Sequence, residues 1–290
     1  MSTQAVVSLS SPGRNFLGTF KLGDLALRIL AGLVLLFLFV PILVIIVFSF
    51  NSPAGKFNYT WQGFTLKNWG DPFGVPGLWP AMQTSLEIAA LAALGATVLG
   101  TLIALALVRY GFRGRGAANL FIFLPMATPE IVMGASLLSL FLAINFQTGF
   151  WTIVIAHITF DISYVVTTVR ARLVGFDRHL EEAAMDLYAN SWTTFWRVTL
   201  PLIAPGVLSA LLLSFALSID DFVITNFNSG TEVTFPLFVW GAARVGVPPQ
   251  VNVVGSIIFF AAIGLMLLNV VRQRRPQRAA APGAATATVS

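Results

Sequence analysis

Six stretches of this chain are apolar and long enough to cross a lipid bilayer, and polar segments separate them. Residues 29–50 carry no charge. A helix rises about 1.5 Å per residue, so a run of this length covers a hydrocarbon core of about 30 Å. It is too long for the apolar centre of a signal peptide and lacks a small-x-small cleavage site, which predicts an uncleaved first span kinked at Pro41. The second run, 88–108, is also uncharged, with Glu87 at its outer end, and the third, 118–142, is interrupted by Pro125, Pro129 and Glu130. The fourth, 150–169, contains His157 and Asp161; the fifth, 202–227, carries the adjacent carboxylates Asp220 and Asp221; the sixth, 251–271, is uncharged. This pattern predicts an all-α, polytopic membrane protein with six transmembrane helices.

Composition supports the same class. The chain is 57% hydrophobic and 10% charged, with mean hydropathy +0.83, whereas soluble domains carry roughly 25% charged residues. It has no cysteine and only His157 and His179 as histidines, which removes disulfides and thiolate nucleophiles and leaves little for a metal site. The net charge of +5 reports topology. With both termini cytoplasmic, all but Lys56, Lys67 and Arg244 of the 17 Lys and Arg residues fall on the inner side, as the positive-inside rule requires. Nucleic-acid binding is a poor second explanation of that charge. The resulting organisation is a cytoplasmic tail (1–24), a first span and outer loop (25–79) with Trp61, Trp69 and Trp79 at interfacial positions, a transmembrane core (80–271), and a cytoplasmic tail (272–290) expected to be disordered past Arg278.

One cytoplasmic loop, 171–201, is far more than a connector. Its segment DRHLEEAAMDLYANSWTTFWRVTLP (177–201) offers two acidic residues, two small ones, and an apolar-aromatic set at Leu187, Trp192, Phe195 and Trp196. Small residues let another surface approach, and aromatic residues supply buried anchors when a helix docks in a groove. A helix pair lying on the membrane surface is the plainer reading of the same composition. The segment resembles the "EAA" loop of the inner-membrane permease subunits of ATP-binding-cassette (ABC) importers: Glu182-Ala183-Ala184 opens it and Val198-Thr199-Leu200-Pro201 closes it at the family's spacing. The family's glycine position holds Tyr188, and Asn190 nearby is the residue suited to a left-handed turn. The segment SALLLSFALSIDDFVITNFNSG (209–230) is similar to the spermidine/putrescine branch, where paired aspartates sit late in the fifth span.

That resemblance implies a type I ABC importer permease fold and assigns roles. The short helix holding Glu181, Glu182, Ala183, Ala184, Asp186 and Leu187 would rest in a cleft of an ATPase subunit, with Glu182 leading. A carboxylate at a helix start also complements the helix dipole, whatever docks there. ATP and Mg would be bound by the partner ATPase and no cofactor by this chain, which has no G-x-x-x-x-G-K-[ST] loop. The implied partners are a second permease, two ATP-binding subunits and an extracytoplasmic substrate-binding protein, all assembled at the bilayer.

Carboxylates at membrane depth cost about 2.5–3.5 kcal/mol on insertion scales and face protein, water or a pathway. Asp220 and Asp221 cannot both point the same way, because helical neighbours diverge by about 100°. One would line the pathway and the other cap or pair; the alternative is that both are solvated at the outer surface. Glu130, after two prolines, is a second pathway candidate, and Phe222 and Phe227 are candidate cation–π partners for an organic polycation. His157 and Asp161, four apart on one helical face, are expected to form a structural pair. The expected function is polyamine import as a permease subunit. Alternatives are the same importer class with ferric iron, thiamine or an amino-acid derivative as solute, or a self-contained secondary transporter, for which no internal repeat is evident. A membrane enzyme would need convergent catalytic groups that the sequence does not supply.

Overall fold

The computed structural model of the chain describes residues 22–278 except Phe176 and Arg178. Most of the expected N-terminal tail, Arg178 and the tail beyond Arg278 lie outside the described residues. The described residues form helices without a β-strand, in the order α1 (Leu22–Ser49), α2 (Lys67–Gly70), α3 (Leu78–Arg109), α4 (Arg115–Ala127), α5 (Glu130–Ala143), α6 (Phe150–Val174), α7 (His179–Asp186) and α8 (Ser191–Thr194). A π-helical turn (Phe195–Thr199) follows, then α9 (Leu200–Asp220), α10 (Val223–Asn228), α11 (Phe235–Val245) and α12 (Pro249–Arg278). Four segments are long and apolar enough to cross a membrane: Leu25–Ser49, Leu78–Arg109, Phe150–Val174 and Ser191–Asp220; α4 and α5 together make a fifth if the bent pair is one span. α12 covers the sixth apolar run, with Pro249–Gly264 as its shorter apolar part among the described residues.

The chain divides into two compact units, Met1–Phe48 with Gly255–Ser290, and Ser49–Val254. In the first unit, Leu25 to Val40 along α1 is exposed throughout, as suits a helix surrounded by lipid or by another subunit. Pro41 lies inside α1 as expected.

The second unit is built on α3, α6 and α9. Their shared core holds Ala96, Ala104, Leu107, Val165, Val166, Val169, Leu173, Ile203 and Ala210, nearly all fully buried. In a membrane, apolar surface gains little by leaving lipid, so helices associate through close packing over small residues. α3 provides such a stripe: Ala89, Ala92, Ala93, Ala96 and Ala104 are buried. A Cβ on Gly100 would lie 2.6 Å from Val165 Cγ1, and one on Gly95 would lie 2.8 Å from Ile158 Cδ1. The absent side chains are what allow α3 and α6 to touch.

Two expected spans are broken, for identifiable reasons. The third bends by 110° between α4 and α5. Pro125 is accommodated inside α4, and the break falls one turn later, where Thr128 (φ −83, ψ 134) precedes Pro129 and takes the extended backbone that a following proline imposes. The fifth, expected to run through residue 227, stops at Asp220; Asp221 is extended (φ −65, ψ 120) and α10 restarts beyond it. α10 packs on α5 through Gly134, where an added Cβ would meet Phe227 Cδ2 at 2.8 Å.

Outside the helices, Asn51 organises residues 51–63. Its Nδ2 donates to Asn58 Oδ1 (2.6 Å) and the Thr60 carbonyl (2.7 Å), and its Oδ1 accepts from the Gln62 N–H (2.8 Å). Trp69 stacks on Phe50 at 5.3 Å and its Nε1–H donates to Ser49 Oγ.

The packing at Gly100 makes a direct prediction. Gly100→Leu overfills the α3–α6 contact and lowers stability by about 1–3 kcal/mol, whereas Gly116→Ala, at an open position in α4, leaves it unchanged or slightly raised. Thermal unfolding of the detergent-purified protein checks the pair.

Candidate functional site: an acidic helix break and a two-helix loop

Two regions hold the predicted residues. The first is the break between α9 and α10. Asp221 lies against α10, its side chain only 6% exposed. Its Oδ2 accepts from the Thr225 N–H (2.8 Å) and the Thr225 hydroxyl (2.9 Å), and its Oδ1 from the Ile224 N–H (3.3 Å). It thus satisfies N–H groups that the interrupted helix leaves without intrahelical acceptors. His157 of α6 completes the cluster. Its Nε2 lies 3.2 Å from Asp221 Oδ2 and 2.9 Å from Thr225 Oγ1, and its Nδ1 lies 2.6 Å from Ser218 Oγ.

The expected pairing of His157 with Asp161 is therefore replaced. Both ring nitrogens turn to α9, Asp221 and α10, while the fully buried Asp161 accepts from the Ser214 hydroxyl at 2.6 Å. Four-residue spacing on α6 puts the two side chains near each other, but the nearer partners lie across the helix–helix contact. Of the two adjacent aspartates, Asp221 is the one that caps α10 and pairs with His157. Asp220 is exposed at the last turn of α9, and Glu130 is exposed in the first turn of α5. Phe222 packs against Trp240 (centroids 5.1 Å apart), whose ring also carries the Arg244 guanidinium at 4.8 Å. Phe227 fills the space beside Gly134. Both aromatic rings thus have partners within the protein.

The second region is the loop of α7 and α8. Glu181 turns inward, its side chain 12% exposed, where it pairs with Arg109 at the end of α3 and accepts from the Thr199 hydroxyl. Glu182, Ala183, Asp186 and Leu187 face outward and Ala184 is half-buried. Among the described residues, Glu182 contacts His179, at 3.1 Å on the solvent side. Leu180, Met185, Leu187, Trp192 and Trp196 are all exposed, an apolar surface at the end of a polar loop.

Tyr188 takes the left-handed conformation itself (φ 62). Its N–H donates to the Met185 carbonyl (2.9 Å) and the Ala189 N–H to the Ala184 carbonyl (3.1 Å). These are the paired bonds of a Schellman turn, which ends α7 at the position where glycine is usual. Asn190, expected to supply the turn, is extended and caps α8 instead, its Oδ1 accepting from the Thr193 N–H.

Sequence reading missed Arg109, Thr199, Ser218 and Thr225. They are polar residues at or inside apolar helices, and what gives them a role is contact across the fold. Their being hydroxyls and a guanidinium near carboxylates was the available signal.

The described residues combine four helices long and apolar enough to cross a membrane, a carboxylate-bearing helix break and a paired-helix loop, the features expected of a polytopic membrane protein. The chain belongs to the family of binding-protein-dependent transport system inner membrane components, whose pattern matches residues 96–274. It is 40% identical over 234 residues to the spermidine/putrescine transport system permease protein PotC of Escherichia coli (strain K12), covering 80% of this chain and 88% of that one. It is 39% identical over 239 residues to the putrescine transport system permease protein PotI of the same organism, covering 79% and 84%. Among solved structures it is similar in fold to a chain of a bacterial ABC transporter involved in import of the acidic polysaccharide alginate (TM-score 0.61, 19% identity, 88% of this chain and 98% of that one).

A tyrosine with positive φ is strained by roughly 1–2 kcal/mol. Tyr188→Gly removes that strain and makes the unfolded chain more flexible, so it stabilises the end of α7 by up to about 1 kcal/mol. Slower amide hydrogen exchange at Tyr188→Gly and Ala189 is the expected result.

Proposed function

We propose that this chain is one of two permease subunits of an ATP-driven importer of polyamines in the cytoplasmic membrane of a prokaryote. The observation that carries the reading is the 40% identity to a spermidine/putrescine permease over 80% of the chain. The chain crosses the membrane six times, α12 providing the last crossing, with both termini in the cytoplasm. A second permease completes the path, two ATPase subunits bind ATP and Mg, and an external binding protein delivers substrate.

The loop of α7 and α8 is the ATPase-facing element. Its exposed face joins a carboxylate, Glu182, with small and apolar residues, a surface suited to insertion in a groove. Glu181 plays an internal part: its bond to Arg109 ties α7 to α3, so displacement of α7 is felt in the α3–α6–α9 core. Alternating access follows when ATP-driven closure draws the paired loops together.

Asp220 and Glu130 are the pathway carboxylates. They are exposed where two broken spans end, the places where a membrane protein tolerates irregular backbone because it lines a cavity. A linear polycation loses water on entering such a space, and spaced carboxylates replace it without trapping the substrate. Asp221 shapes the break and does not touch substrate.

Proteoliposomes containing the four-subunit transporter and the binding protein test both ends of this mechanism. Glu182→Lys is expected to lower ATP-driven spermidine uptake about tenfold or more, with the subunit still inserted, because charge reversal at a docking surface is repulsive. Normal uptake by this variant would remove the docking role. Asp220→Asn is expected to lower uptake about tenfold through loss of a charge-assisted contact, while the ATPase subunits remain bound. Dissociation of those subunits would make Asp220 a structural residue instead.

A further inference from the structure

We infer that His157 is a positioning residue for the transport path: it staples the α9–α10 break open and thereby keeps the Asp220 carboxylate uncovered. This deepens the proposed function and rests on its placement of Asp220 in the path.

The geometry is that of a bridge between the two sides of a break. The imidazole of α6 contacts Ser218 Oγ in α9 at 2.6 Å and Thr225 Oγ1 in α10 at 2.9 Å. In an unbroken helix these residues would be separated by about 10.5 Å along the axis, too far for one ring to touch both. The bridge is therefore compatible with the broken arrangement and incompatible with a continuous α9–α10 helix. It is also well isolated from water: His157 is 2% exposed, Ser218 5% and Thr225 0%. Asp221 sits between the two contacts, taking the Thr225 and Ile224 N–H groups and lying 3.2 Å from Nε2. Two N–H groups at the start of α10 thus find their acceptor in this carboxylate.

The consequence for Asp220 follows from helix periodicity. Residues three and four positions on share a helical face. Were α9 to continue, Val223 and Ile224 would lie over Asp220, placing apolar side chains against the carboxylate. The break directs Ile224 elsewhere, where it is fully buried with Ala156 and Phe160 of α6. Asp220 remains exposed. His157 touches no substrate in this account; it acts through the backbone that it holds apart.

The absence of cysteine from the chain permits a direct test. Asp220→Cys is introduced into the complete transporter, with no other accessible thiol in its subunits, and its rate of modification by the cationic reagent 2-aminoethyl methanethiosulfonate is measured in proteoliposomes. With His157 present, the thiol is expected to react readily. Adding His157→Leu is expected to slow the reaction about tenfold, and His157→Gln, which retains hydrogen-bonding capacity, to restore much of it. Should the leucine variant fail to assemble, Thr225→Val removes one anchor while keeping side-chain shape, with slowing again expected. Equal rates with and without the staple would overturn the inference while leaving Asp220 in the path. A thiol unreactive in every background would instead remove Asp220 from the path, and the inference with it.

Discussion

A buried imidazole beside a buried carboxylate is the contact on which the α9–α10 break depends. Ending a helix inside a membrane leaves peptide groups that lipid cannot satisfy, and each costs several kcal/mol. Asp221 satisfies those at the start of α10, and His157 satisfies Asp221. Each group also holds partners of its own, Ser218 and Thr225 for the imidazole and the Ile224 and Thr225 N–H groups for the carboxylate. Joined, they make an interrupted span that exposes one carboxylate by committing its neighbour to structure.

The loop of α7 and α8 uses the same economy with different residues. Two adjacent glutamates begin α7 and diverge: Glu181 is bound to Arg109 and Thr199, and Glu182 remains on the outer face. One fastens the short helix to the core and the other contacts His179 on the exposed side. Between the two ends lies a core in which α3 approaches α6 closely at Gly95 and Gly100.

Much of this was legible in the residues. Charge-free runs located α1 and α3, a largely apolar run located α6, and proline anticipated the bend between α4 and α5, although the break belongs to Thr128–Pro129 and Pro125 is absorbed by α4. The EAA spacing located α7. What periodicity could not supply was contact between distant segments. The pairing of His157 passed from Asp161, four residues away, to Asp221, because the ring faces α9 and α10. The apolar residues beyond Asp220 and Asp221 likewise concealed the break, since Val223, Ile224 and Phe227 are as apolar in a short packed helix as in a span. Tyr188 escaped because left-handed backbone at a non-glycine residue is imposed by the turn's hydrogen bonds and leaves no mark in composition.

The central claim, that the chain moves polyamines, is tested most directly by uptake of labelled spermidine and putrescine in cells with and without its gene, in a background lacking other polyamine uptake systems. The account predicts that deletion abolishes uptake and that the wild-type gene restores it. Undiminished uptake of both polyamines after deletion would contradict it.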